Sequence, residues 1–197
     1  MPRTWTEKKL FAQTIESGQN ALFNVLKAYS KHNPQVGYCQ GMNYLAALIL
    51  VAVKMEEALA FSIMIRLMEG AKHNFARLYE PKLQLLFELT DTVYAWLLIE
   101  EPRLENKISS AHIPLATMLA SPFMGLFANI APHDVCLRVM DQFVLNGNEA
   151  MCNIIKQVLR AQKDKILGIS DPDALHAYLV KQVYLDAIES GHFFPDI

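Results

Sequence analysis

Gln40 is the residue whose setting most invites a chemical question. It stands in NPQVGYCQGMN, Asn33 to Asn43, with glycines at 37 and 41 and an apolar run directly behind it. A carboxamide is neither a nucleophile nor a general base at neutral pH. It does accept one hydrogen bond while donating others, which suits holding a water or a phosphate in place. Gln40 therefore points to positioning. Pro34 and Gly37 break the helix that precedes it, Tyr38 offers an aromatic wall, and Gly41 allows close backbone approach at the start of the next helix. The competing possibility, an amide that only satisfies loop carbonyls, stands beside it.

Other chemistries find little support. Six histidines are present, but none falls in HExxH or another spacing that sets two ligands on one helical face beside a carboxylate. His32, His73, His112, His133, His176 and His192 lie singly near expected helix ends or turns, where surface or capping roles are ordinary. Cys39, Cys136 and Cys152 are odd in number and lack CxxC spacing, which predicts reduced thiols and neither a disulfide framework nor a zinc site. No GxxxxGK[ST], strand-linked GxGxxG or GxSxG occurs, so the chain has no nucleotide loop or nucleophile elbow of its own. Glu56-Glu57 and Glu100-Glu101 are adjacent carboxylates that diverge on a helix, and they read as solvated helix starts or turns.

Of the 197 residues 52% are hydrophobic and 19% charged, enough to bury a substantial core in one domain or two packed lobes. The formal net charge of -2 gives no global attraction to nucleic acid or to an anionic membrane. Tyr44 to Val53 is about half of the ~20 apolar residues that span a bilayer, and the first ten residues form no secretory hydrophobic region. A cytoplasmic protein without a transmembrane segment is expected, at most a peripheral visitor to endomembranes.

The elements that must position Gln40 are helical throughout, since no segment sustains strand alternation. A helix over Gly18 to Lys31 places Leu22, Val25, Leu26 and Tyr29 on one face, with Ser17 as its N-cap and Pro34 closing it. Met42 to Val53 is apolar all round and belongs at the centre of the core. Glu56 to Glu69 carries a stripe of Phe61, Ile65 and Met68, with Gly70 ending it; Met64 and Met68 fit core positions. Pro81 is placed as the first residue of a helix to about Ile99, with Leu83, Leu86, Phe87, Thr90, Val93, Tyr94, Leu97 and Leu98 in period. After a break at Pro102, helices are expected near Pro114 to Asn129, His133 to Leu145, Glu149 to Lys165 and Asp171 to Ser190, the last capped by Asp171. Glu100 to Ser110 is the candidate boundary between lobes of about 1–100 and 101–197.

YCQGMN, preceded by NPQVG and by GQNALFNVLKAYS, resembles the central signature of the TBC domain, the Rab GTPase-activating module. The tail of the family's upstream IxxDxxRT motif survives as Pro2-Arg3-Thr4, at the family's spacing from Gln40. Looser similarity runs through EEALAF, LYEPKL and FANIAPHDVCLRVMDQFVLNG, so nearly the whole chain is covered. The resemblance implies an all-helical, two-lobed fold, a Rab-type small GTPase as partner, and a part in vesicle trafficking and intracellular protein transport. It implies an arginine finger at Arg3 and a glutamine finger at Gln40, with Thr4, Tyr38, Gly41 and Asn43 shaping or contacting the site. GTP and Mg²⁺ would be carried by the partner, and the chain would need no cofactor of its own.

The chain departs from the family pattern at three places. The isoleucine and aspartate of the first motif and the helices before it are absent ahead of Met1, so the chain is expected to be a fragment of a longer protein. Methionine fills the usual tryptophan place in Val139-Met140-Asp141, a core exchange that leaves Asp141 to cap or bridge. Pro122, Phe123 and Met124 stand where another tryptophan is common. The rival to a GTPase activator is a TBC-like docking module that binds a GTPase or another vesicle protein without catalysis.

Overall fold

In a computed structural model of the chain, residues 15–195 are described, and every regular element among them is helical. The described residues divide into two compact units, residues 15–83 with 124–126, and residues 84–123 with 127–195. The division falls between Leu83 and Gln84. No helix among the described residues is long and apolar enough to cross a membrane.

In the first unit α1 (Ile15–His32), α2 (Met42–Ala52) and α3 (Glu57–Glu69) pack pairwise on one another, followed by a 3-10 turn, Phe75–Leu78. The expected face of α1 is the observed one, with Leu22, Val25, Leu26 and Tyr29 all buried. Ser17 lies inside α1 and is not its cap, because the helix starts earlier than the periodicity suggests. Every residue from Leu45 to Leu50 on α2 is buried, as a helix apolar on all sides requires. On α3 the buried set is Ala60, Met64, Leu67 and Met68. Phe61 and Ile65 are only half-buried, so the contact face is rotated from the expected stripe toward the smaller Ala60.

The second unit holds α4 (Gln84–Glu100), α5 (Pro102–Ser110), α6 (Leu115–Gly125), α7 (His133–Asn146), α8 (Glu149–Ala161), α9 (Lys163–Gly168), α10 (Pro172–Ala177), a π turn (Tyr178–Gln182) and α11 (Val183–Glu189). The last residues of α6, Met124 and Gly125, count with the first unit. Pro81 lies in a turn and does not begin α4, since Leu83 takes a left-handed φ of 47° that no helix can run through. Leu86, Thr90, Val93 and Leu97 of the expected α4 stripe are buried, whereas Phe87, Tyr94 and Leu98 are exposed. Leu85, Leu89 and Trp96 take the buried places. Pro102 opens α5 from the first helical position, where its missing N–H costs nothing, and so begins a helix rather than a break. Asp171 caps α10 as expected, accepting a hydrogen bond from the Ala174 amide at 2.7 Å. Met140 is buried, in keeping with a core exchange. Asp141 neither caps nor bridges; it is exposed and has no side-chain partner among the described residues.

Glu101 corrects the expectation of solvated carboxylate pairs. It is buried, and its oxygens accept from Lys163 Nζ at 2.5 Å and Arg160 Nε at 3.4 Å, while Arg160 also pairs with exposed Glu100 at 2.7 Å. Burial pushes the Glu101 carboxyl up, but hydrogen bonds and charge from Lys163 and then Arg160 outweigh it and hold it below its ordinary value. A depressed folded-state value means stability that is present above the unfolded carboxylate range and lost as pH falls through the folded one. Glu101→Gln is expected to lower the urea-unfolding free energy by about 1–2 kcal/mol at pH 7, discounted because both cations are partly exposed. That gap from wild type should close as the pH is lowered below about 4. A pH-independent gap in urea titrations would mean that the carboxylate charge is not what stabilises this corner.

Candidate functional site

The loop that carries Gln40 is tied down at both ends by asparagines. At its start Asn33 extends α1, its amide donating to the Tyr29 carbonyl at 2.8 Å. Its side-chain Nδ2 donates to Glu69 Oε1 of α3 at 3.2 Å, and its Oδ1 accepts from the Val36 amide at 3.3 Å. The side chain thereby closes an Asx-type turn and fastens it to a neighbouring helix. The Gly37 amide bonds the Asn33 carbonyl at 2.9 Å, and Gly37 adopts a left-handed φ of 63° that turns the chain toward Tyr38. Burial, with Glu69 nearby, raises the Tyr29 phenol to about 12, so it stays neutral beneath this turn.

At the other end Asn43 Oδ1 accepts from the Gly41 amide at 3.1 Å, which orients the peptide joining Gln40 to Gly41. The Met42 amide bonds the Cys39 carbonyl at 3.2 Å and the Tyr44 amide bonds the Gly41 carbonyl at 3.0 Å, leading into α2. Gly41 occupies the cap position with φ 110°. A Cβ there would stand 2.8 Å from the Met124 carbonyl oxygen and 3.2 Å from Cε1 of Tyr79. The Tyr79 hydroxyl donates to that same carbonyl at 2.8 Å. The close backbone approach expected at Gly41 is thus made by a segment of the chain itself.

Between these anchors the side chains of Tyr38 and Gln40 are exposed, Tyr38 to 48%. No hydrogen bond holds the Gln40 amide among the described residues, so nothing in the loop consumes its donor or acceptor. Gly41 is buried, and Asn43 is half-buried with its side chain engaged inside the loop. Arg3 and Thr4 lie outside the described residues. Burial raises the phenols of Tyr38 and Tyr79, so both remain neutral donors. Asn33 to Asn43 contains no Asp, Glu, His, Lys or Arg. The loop can orient a polar group but supplies no fixed charge to stabilise one. Among the described residues no three His, Cys, Asp or Glu side chains are grouped as metal ligands would be.

The tie at Asn33, the clamp at Tyr79 and the floor at Met124 were not anticipated from sequence. Asn33 before Pro34 is a turn signal and could have indicated the first. Tyr79 and Met124 are 45 residues apart, with no periodicity relating them.

The Rab-GTPase-TBC domain family matches residues 1–167. The chain is 30% identical over 183 residues to the Rab GTPase-activating protein eat-17 of Caenorhabditis elegans, across 93% of this chain and 20% of that protein. Over 188 residues it is 30% identical to the Ecotropic viral integration site 5 ortholog of Drosophila melanogaster, across 92% of this chain and 22% of that protein. TBC1 domain family member 2A of Rattus norvegicus is 30% identical over 178 residues, across 90% and 19%. The chain spans about a fifth of the length of these curated relatives. In fold it is similar to the Chlamydomonas flagellar RabGAP TBC domain, with a TM-score of 0.75 at 22% identity, over 98% of this chain and 64% of that one.

Proposed function

The chain belongs to the Rab-GTPase-TBC domain family, and from that premise we propose that it accelerates GTP hydrolysis by a Rab-type small GTPase, with Arg3 and Gln40 entering the partner's active site in trans. The supporting observation is the exposed amide of Gln40, which makes no hydrogen bond among the described residues, on a loop pinned at both ends. Hydrolysis of the β–γ phosphoanhydride needs an attacking water held in line and charge stabilisation on the phosphate oxygens. Gln40 would accept a hydrogen bond from that water and donate one to a phosphate oxygen or to the partner's backbone, paying little reorganisation because its base is already fixed. Arg3 would supply the fixed positive charge that the loop lacks. Tyr38, exposed beside Gln40, would contact the partner, and Thr4 would flank the arginine. GTP and Mg²⁺ would stay with the partner. The protein would act in the cytoplasm and peripherally on endomembranes, where Rab-type partners work in vesicle trafficking.

Single-turnover GTP hydrolysis by a panel of Rab GTPases tests this, using this chain and an N-terminally extended form. Acceleration of at least one member is expected. Absence of acceleration by either form, with a GTPase shown to bind, would make the protein a noncatalytic docking module.

A further inference from the structure

Tyr79 follows the 3-10 turn and is almost fully buried, its ring meeting Phe75 edge-on at 5.7 Å between centroids. Its hydroxyl and its ring address the same place from two sides. The hydroxyl holds the Met124 carbonyl at 2.8 Å, and ring atom Cε1 walls the position a Cβ of Gly41 would occupy. The Met124 carbonyl comes from the last turn of α6, where carbonyls lose their helical partners and must find another donor. Directly after it Leu126 and Phe127 take left-handed φ values of 46° and 61°, an uncommon conformation for residues with side chains, and both are fully buried. Strained backbone of this kind persists where the surroundings over-determine it, and it clusters at functional sites.

We propose that Tyr79 is a positioning residue for Gln40, its hydroxyl pinning the Met124 carbonyl against Gly41 so that carbonyl and phenol ring together fix the backbone from which Gln40 projects. This rests on Gln40 acting as the glutamine finger. The order of action is Tyr79 on Met124, Met124 on Gly41, and Gly41 on the aim of the neighbouring side chain. Tyr79 itself is almost fully buried, so it acts through this backbone. Loss of the hydroxyl frees the carbonyl to shift, and a misplacement of the order of 1 Å in a water-positioning group lowers a chemical step by about 10-fold or more.

The test is a double-mutant cycle in single-turnover GTP hydrolysis, using the form of the protein that accelerates a Rab GTPase and that GTPase as the probe. Tyr79→Phe is expected to lower the maximal rate constant about 10-fold, with the half-saturating concentration changed by less than about 2-fold. In a Gln40→Ala background the same substitution should produce no further loss. Placing 4-aminophenylalanine at 79, which keeps the ring and an N–H donor, should restore the rate. Amide exchange over residues 39–42 should rise in Tyr79→Phe while that of α1 and α3 stays unchanged. An unaltered maximal rate, an equal loss repeated in the Gln40→Ala background, or unchanged loop exchange would overturn the positioning role. Full activity of Gln40→Ala alone would instead remove the finger assignment, and Tyr79's role would fall with it.

Discussion

Gln40→Ala is expected to remove about 10²- to 10³-fold of the acceleration of GTP hydrolysis, the size of effect seen when one preorganised hydrogen-bonding group is deleted from a charged transition state. Folding stability should stay within about 0.5 kcal/mol of wild type, because the side chain is exposed and makes no hydrogen bond among the described residues. The backbone of the loop is secured by Asn33, Asn43 and the Gly41 contacts, none of which uses the glutamine amide. Arg3→Ala is expected to cost at least as much, since an arginine finger can supply ~10³ to 10⁵ in rate. The two losses need not multiply, for a water held in line and the charge that develops on the phosphate belong to one transition state. Rate constants with and without each substitution, alongside urea midpoints, check this. A Gln40→Ala protein with wild-type rate but a lowered midpoint would assign the amide to structure alone.

Gly41→Ala is expected to destabilise the protein by about 2–4 kcal/mol and to abolish acceleration as well. Two costs coincide at this residue. Its φ of 110° is one that side-chain-bearing residues rarely adopt, and the new Cβ would stand 2.8 Å from a backbone carbonyl oxygen that is itself held by Tyr79. A flexible neighbour could yield to the methyl group; a clamped carbonyl cannot without breaking its hydrogen bond. Relief by a change of φ would swing the Gln40–Gly41 peptide and break the bond from the Gly41 amide to Asn43. Either route re-aims Gln40. Denaturation midpoints and single-turnover rates together test the claim, and a stable, fully active Gly41→Ala protein would refute the close approach. The contrast with Gln40→Ala is informative, because that substitution removes the amide and leaves its support intact.

How much of this was legible in the sequence depends on whether a feature is local. Leu22, Val25, Leu26 and Tyr29 announced the buried face of α1 because one apolar stripe met one core. The apolar run of α2 and the cap at Asp171 were equally local. On α4, apolar residues occur nearly all round, so periodicity could not say which side would be covered, and exposed Phe87, Tyr94 and Leu98 were assigned inward. Pro102 was ambiguous for a different reason, since proline both breaks helices and begins them. Glu101 looked like half of a solvated pair because its cations, Arg160 and Lys163, are about 60 residues away. At the site, the glycines and Pro34 marked the loop, and Gln40 stood out as a polar side chain without a local task. Its support from Met124 and Tyr79 is a tertiary contact between a carbonyl and a phenol, and no spacing rule reports one.

The central claim is that Gln40 does in trans the work of orienting the attacking water. The most direct measurement is single-turnover hydrolysis by an accelerated Rab GTPase whose own water-orienting glutamine has been replaced by alanine, with wild-type protein and with Gln40→Ala. If Gln40 supplies that function, wild-type protein still accelerates the altered GTPase and Gln40→Ala does not. Acceleration that vanishes with the GTPase's glutamine and is indifferent to Gln40 would contradict the claim.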